Sequence, residues 1–194
     1  MKRPTSILAG MILVSGSVAS TAQDEHVLRA QAQEAIANTF STMSGSLMKA
    51  LGEGGVEKAV PFCHENVKQL ATKLHEQNGV RVQRVTHKAR NPVNQATADE
   101  LKLIDSLQAK LDRGETPDPI MTTNEEGTRV YYAPILIPAE TCLKCHGQPE
   151  TDILPADLAL IHSLYPQDQA TGFKLGDLRG LWKVTFESPT PSKP

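Results

Sequence analysis

The chain has 194 residues, with 20 lysines and arginines against 22 aspartates and glutamates and a formal net charge of −2. Its basic residues are scattered and nothing in their arrangement suggests a nucleic-acid partner, and its length fits one domain with its own core. Three cysteines are an odd count that internal disulfides alone cannot absorb.

Residues 1–22 read as a secretory signal peptide. Lys2 and Arg3 give a charged start, Ile7 to Val14 an apolar core, and Ala19, Thr21 and Ala22 the small residues of a cleavage site. The apolar run is broken by Gly10, Ser15, Gly16 and Ser17 and falls short of the roughly 20 residues that cross a bilayer, so no stable membrane span is expected. Removing the segment takes Lys2 and Arg3 with it and leaves 18 basic residues against 22 acidic. Export places the remainder in the periplasm, an oxidising compartment where paired cysteines are usually disulfides.

Residues 23–187 are assigned to the domain. From Asp24 to Leu51, apolar residues at three- and four-residue spacing, among them Val27, Ala35, Ile36, Phe40, Met43, Leu47 and Leu51, predict a long amphipathic helix. The run "GEGG" ends it. In "VEKAVPFCHENVKQLATKLHEQNG", Val60, Cys63, Val67, Leu70 and Leu74 mark one face of a second helix, with Pro61 expected at its start or at a bend. "VRVQRVTH" alternates like a half-buried strand. Asn91-Pro92 is a turn signal, and Thr97 with Glu100 forms a capping box for a helix carrying Leu101, Ile104, Leu107 and Leu111 and stopped at Gly114.

"IMTTNEEGTRVYYAPILIP" predicts two strands around a turn at "NEEG". After the cysteine motif come a helix with Leu158, Ile161 and Leu164, a loop "YPQDQATGFKLGDLRG", and a last strand "LWKVTFE" in which Trp182 is expected in the core. The tail, residues 188–194, is polar and proline-rich and is expected to be disordered. Helices first, then strands interleaved with helices and turns, point to an α+β fold with an antiparallel sheet.

Cys142-Leu143-Lys144-Cys145-His146 has the C-x-x-C-H form of a c-type haem attachment site. Each thiol can add to one vinyl group, and the adjacent imidazole then stands against the iron. A disulfide or thioredoxin-like pair between Cys142 and Cys145 is a competing reading that gives His146 no role. A zinc site is another, and needs more ligands than the spacing supplies. If haem takes both motif cysteines, Cys63 is left without an internal disulfide partner. It lies on the apolar face of its helix, which suits an iron ligand, a small buried residue, or an intermolecular disulfide. His64, His87, His162, Met43, Met48 and Met121 are rival sixth ligands. His26, His75 and His162 read as residues of solvated faces, and the methionines as core.

"VTHKARNPVNQATADEL", "YYAPILIPAETCLKCHGQP" and "YPQDQATGFKLGDLRGLWKVTF", in this order, resemble the single-haem c-type proteins with a PAS-like fold first known from cyanobacteria. The same domain type serves as an extracytoplasmic input region of bacterial sensor kinases. The resemblance implies one covalently attached haem on an antiparallel sheet flanked by helices, with His146 and Cys63 as the two axial ligands. Arg90, Asn91 and Asn94 match a family motif that implies support of the haem propionates, or else of the turn beside them. Where the family pattern has a serine, this chain has His87. Tyr131, Tyr132 and Pro134 lie on the strand leading to the motif, so one face of that strand is expected to touch the porphyrin.

Three functions follow as expectations. A thiolate opposite histidine favours ferric iron; reduction that weakens it opens a site for a diatomic gas, which suits a redox or gas sensing module signalling to a separate protein. A methionine ligand instead suits a soluble electron carrier for a redox partner. A haem enzyme needs a distal acid/base group that spacing does not identify, and catalytic residues are not assigned.

Overall fold

The computed structural model describes residues 17–78 and 80–186. The expected signal peptide lies outside them apart from residues 17–22, and the expected tail lies outside them entirely. Among the described residues no helix is long and apolar enough to cross a membrane.

Helix α1 (Ser17–Asn78) is interrupted at Gly54 and Gly55. Gly55 sits at φ 66°, a left-handed conformation that glycine adopts without steric cost, so "GEGG" separates two arms as the sequence predicts. Pro61 lies inside the second arm and not at its start, where its missing N–H costs the Glu57 carbonyl its ordinary intrahelical donor.

The expected α+β fold with an antiparallel sheet is the one observed. Strands β1 (Arg81–Val85), β2 (Ile120–Thr123), β3 (Arg129–Leu136) and β4 (Leu178–Thr185) form one sheet in the order β1-β4-β3-β2, antiparallel throughout. The turn between β2 and β3 closes on Asn124, which accepts the Gly127 and Thr128 N–H groups. β4 begins three residues before the predicted start at Leu181.

Period-two alternation divides the sheet between two cores. On one face Val85, Val130, Tyr132, Leu178 and Leu181 pack on Ile104 and Leu107 of α2 (Ala98–Asp112). Leu107 and Leu181, at 1% and 0% exposure, each contribute about 1.5–3 kcal/mol by leaving water. The capping box at the start of α2 is complete, with the Glu100 side chain accepting from Thr97 N and the Thr97 hydroxyl from Glu100 N. On the other face Val80, Val82, Tyr131 and Val184 pack on Ala32, Ala35 and Ile36 of the first α1 arm.

A third cluster lies off the sheet. Val56 and Val60 of the second α1 arm pack on Ile153, Ile161 and Cys145, with Leu158 and Leu164 of α4 (Pro155–Leu164) around them. The second arm is thereby drawn to the motif helix, α3 (Glu140–His146).

Candidate functional site

The C-x-x-C-H motif folds as two turns of helix. Residues three and four apart share a helical face, so Cys142, Cys145 and His146 come to one side of α3. Gly147 ends the helix, its N–H donating to Leu143 O at 2.8 Å. A Cβ at Gly147 would stand 2.5 Å from Asp152 Cβ and 2.7 Å from Leu143 O, so the end of the motif has room only for glycine. A returning loop runs beside it: Gly172 N donates to Gly147 O and Phe173 N to His146 O.

The imidazole of His146 is held from the same loop, with Nδ1 2.7 Å from Ala170 O. A carbonyl only accepts, so Nδ1 carries the proton and Nε2 keeps its lone pair, the tautomer a metal requires. Burial pushes the ring well below the ordinary histidine range, the Arg90 and Arg179 charges add to this, and the Ala170 carbonyl opposes it. Ala170 is itself fixed, since its N–H donates to Asp168 Oδ1 at 2.8 Å. Asp168 Oδ2 accepts Arg90 Nη2 at 3.1 Å, and the same Nη2 donates to Cys145 O at 2.5 Å. Arg90, Asp168, Ala170 and His146 thus form one chain of polar contacts from the Asn91-Pro92 turn to the motif.

All three cysteines are free and half-buried. Burial pushes the Cys63 thiol up, while the Arg84 and Arg90 charges pull it down. Burial likewise raises Cys145, with Arg90 opposing. Since Cys145 packs in the cluster with Val56 and Val60, the fold brings the second α1 arm carrying Cys63 beside α3. Among the described residues no group of three or more His, Cys, Asp or Glu side chains is disposed to hold a metal ion without further help.

The rival ligands differ in where they stand. His64 is exposed and meets Tyr165 edge-on at 5.0 Å, beside a groove of about 320 Å³ that Arg90 and Asn91 also line. His26 and His162 are exposed, but His75, expected on a solvated face, is half-buried with an unpartnered buried Nδ1. Met48 is 53% exposed and not in the core; Met43 is half-buried, and Met121 packs near Tyr131. His87 stands edge-on to Phe173 at 6.1 Å, and Phe173 in turn edge-on to His146 at 6.4 Å, so a phenyl ring separates the two imidazoles.

Asn91 and Asn94 serve the turn: Asn91 Oδ1 accepts Val93 N, and Asn94 O accepts Thr86 N from the end of β1. Alternation separates the strand residues expected near a porphyrin. Tyr132 packs on the α2 side and Tyr131 under α1. Trp182, expected in the core, is only half-buried. It pairs across the sheet with Arg84 and Ala133 on the face that the first α1 arm covers further along.

Sequence reasoning missed Arg84, Asp168, Ala170, Phe173 and Arg179. Arg84 alone leaves a signal, a charge in phase with Val80 and Val82 where the alternation calls for an apolar residue. Among proteins with curated descriptions, none matches the chain. A crystal structure of the cyanobacterial heme-protein Tll0287 matches with a TM-score of 0.61 at 29% identity, covering 83% of this chain and 94% of that one. The Tll0287-like family model matches residues 15–187, taking in both α1 arms, the motif helix, the loop that holds His146 and every strand, and the chain belongs to that family.

Proposed function

We propose that this chain is an exported haem protein of the c type. One haem is held through thioethers to Cys142 and Cys145, with His146 and Cys63 as axial ligands, and the protein acts as a periplasmic redox or diatomic-gas sensing module for a separate redox or signalling protein. The observation that carries the reading is the fixed tautomer of His146, whose Nδ1–H is committed to Ala170 O so that Nε2 is the donor left for iron. Membership of the Tll0287-like family, one of whose structures is described as a heme-protein, supports the cofactor.

The donor set fits the group. Two thiols and an imidazole share one side of α3, the thiols are half-buried without disulfides, and Cys63 stands in the same field of arginine charge as His146. Metal coordination takes a thiol to its thiolate, and Arg84 and Arg90 offset the cost of that negative charge in a half-buried place. When bound, haem supplies a one-electron centre and, where the sixth position opens, a site for a diatomic gas. The chain itself orients His146 through Asp168 and Ala170, and brings Cys63 in on a helical arm separate from the one that packs on the sheet.

A Cys63→Ala variant tests the reading. The low-spin ferric thiolate signature in optical and electron paramagnetic resonance spectra is lost and the midpoint potential rises, because removing an anionic donor destabilises ferric iron. An unchanged ferric spectrum would refute Cys63 as ligand; a methionine-like spectrum at positive potential would point to an electron carrier. Mass spectrometry that finds no covalent haem on Cys142 and Cys145 would remove the cofactor assignment itself.

A further inference from the structure

Two cations lie over one phenyl ring beside the motif histidine. Phe173 is 3% exposed, with Lys88 Nζ 4.6 Å from its ring centre and the Arg179 guanidinium 5.2 Å from it. Cations at such distances are attracted by the electron-rich ring face. Both are also tied in place: Lys88 Nζ donates to Thr171 O, and Arg179 Nη1 donates to Thr86 Oγ1 at 2.9 Å and to Lys88 O at 3.1 Å. The ring therefore has little freedom to move away from them. At its edges it meets two imidazoles, His87 at 6.1 Å with the planes at 71° and His146 at 6.4 Å with the planes at 87°.

The His146 ring needs such a neighbour. The bond from Nδ1 to Ala170 O, at 2.7 Å, decides which nitrogen carries the proton. A single hydrogen bond has a broad angular tolerance, so it leaves the imidazole free to rock about the line joining Nδ1 to that carbonyl. Setting the plane takes a contact from a second direction. Phe173 supplies one, in the T-shaped arrangement that aromatic quadrupoles favour. Ala170 and Phe173 belong to the same loop, which is stitched on both sides. Gly172 N and Phe173 N donate to Gly147 O and His146 O at the end of α3, while Gln169 N donates to Ala89 O at 2.9 Å in the segment after β1. One loop thus grips the imidazole twice, by a carbonyl and by a phenyl ring.

We propose that Phe173 is a positioning residue that fixes the plane of the His146 imidazole, with Lys88 and Arg179 holding the phenyl ring against it. The proposal rests on the haem reading above, in which Nε2 of that imidazole faces iron. The direction of an axial imidazole plane governs how its π electrons overlap the iron d orbitals, and with it the g anisotropy of a low-spin ferric centre. A fixed plane gives one set of g values; a rocking one gives a spread.

The test uses the full chain matured with its haem, in Phe173→Leu, Phe173→Tyr and Lys88→Met forms. Val80→Ala serves as a control that removes buried volume from the sheet face under the first α1 arm. Covalent haem and the low-spin ferric spectrum persist throughout. In Phe173→Leu the parent's single set of g values broadens or splits in electron paramagnetic resonance. The hyperfine-shifted Nδ1–H proton of His146 exchanges with water up to about tenfold faster in nuclear magnetic resonance, the factor that one edge-on aromatic contact supplies. Lys88→Met moves both readouts the same way and less, and Phe173→Tyr, which keeps the ring, keeps the parent values. Val80→Ala loses stability and moves neither readout, which separates positioning from a structural role. Parent g values and parent exchange in Phe173→Leu would overturn the proposal; if that variant does not accumulate, Lys88→Met equal to the control does so. Absence of covalent haem from the unaltered chain would instead refute the haem reading, which is a different result.

Discussion

Asp168→Ala probes the link between stability and the site. The side chain is fully buried, its Oδ2 takes Arg90 Nη2 and its Oδ1 takes Ala170 N. Removing it leaves the Arg90 side chain, only 14% exposed, with Cys145 O as the acceptor for that Nη2. Breaking a buried ion pair from one side costs about 3–5 kcal/mol, and the surviving carbonyl bond puts this case near about 3 kcal/mol. Loss of the Ala170 N–H bond adds about 1 kcal/mol. For a domain of this size the midpoint of thermal unfolding drops by roughly 10 °C, and urea denaturation followed by far-UV circular dichroism gives the free energy directly. Asp168→Asn keeps an acceptor but not the charge and loses about 2 kcal/mol. The second readout is local: nitrogen-15 spectra of the haem-free chain report the His146 tautomer, which is Nδ1–H in the parent and mixed in Asp168→Ala once Ala170 is loosened. A loss under about 0.5 kcal/mol with an unchanged His146 signature would show that the chain from Arg90 to His146 does not act as a unit.

Glu100 should govern part of the acid limb of stability. Burial pushes its carboxyl up, but Lys183 at 2.8 Å and the Thr97 donors outweigh this and hold it below the ordinary range. Its folded pKa is therefore the lower one, so its contribution is present above the unfolded value and fades as pH falls through the folded value. Glu100→Gln flattens the stability profile below about pH 4.5 and costs about 1.5–3 kcal/mol at pH 7, measured by urea titration at stepped pH. Gly180→Ala places a Cβ 2.5 Å from Val85 O at φ 149° and loses about 1–3 kcal/mol. Gly45→Ala, in open helical surroundings, gains about 0.5–1 kcal/mol; the same denaturation assay compares the two.

The elements with a strong local code were legible. Thr97 and Glu100 announce a helix start because each supplies what the other's N–H needs, and "GEGG" ends an arm because only glycine sits comfortably where Gly55 does. The offset of Val85 from Val80 and Val82 also makes sense, since the first packs towards α2 and the other two towards α1. Pro61 lies inside the second arm rather than at its start, where Val56 and Val60 pack on Ile153 and Ile161. Trp182 misled because its size suggests core, whereas its place across from Arg84 puts it on an incompletely covered part of the sheet.

What local patterns do not encode is which distant residues a fold brings to the motif. The motif names two thiols and an imidazole, but the imidazole's tautomer is decided by Ala170 O, two residues after an aspartate whose partner lies 78 positions earlier. Arg179 shows why alternation fails here. Leu181 and Leu178 both reach the α2 core although they are three apart, because β4 is irregular at Gly180, where φ is 149° and the register with β3 shifts between Ile135 and Leu136. That irregularity turns Arg179 out of strict alternation and onto Phe173, Thr86 and the Lys88 carbonyl. Gly180 is glycine because Val85 O and Thr86 Cβ occupy the space a side chain would need. The close approach of β1 to β4 at that point therefore fixes the backbone, the backbone aims the arginine, and the arginine sets part of the charge that His146 feels.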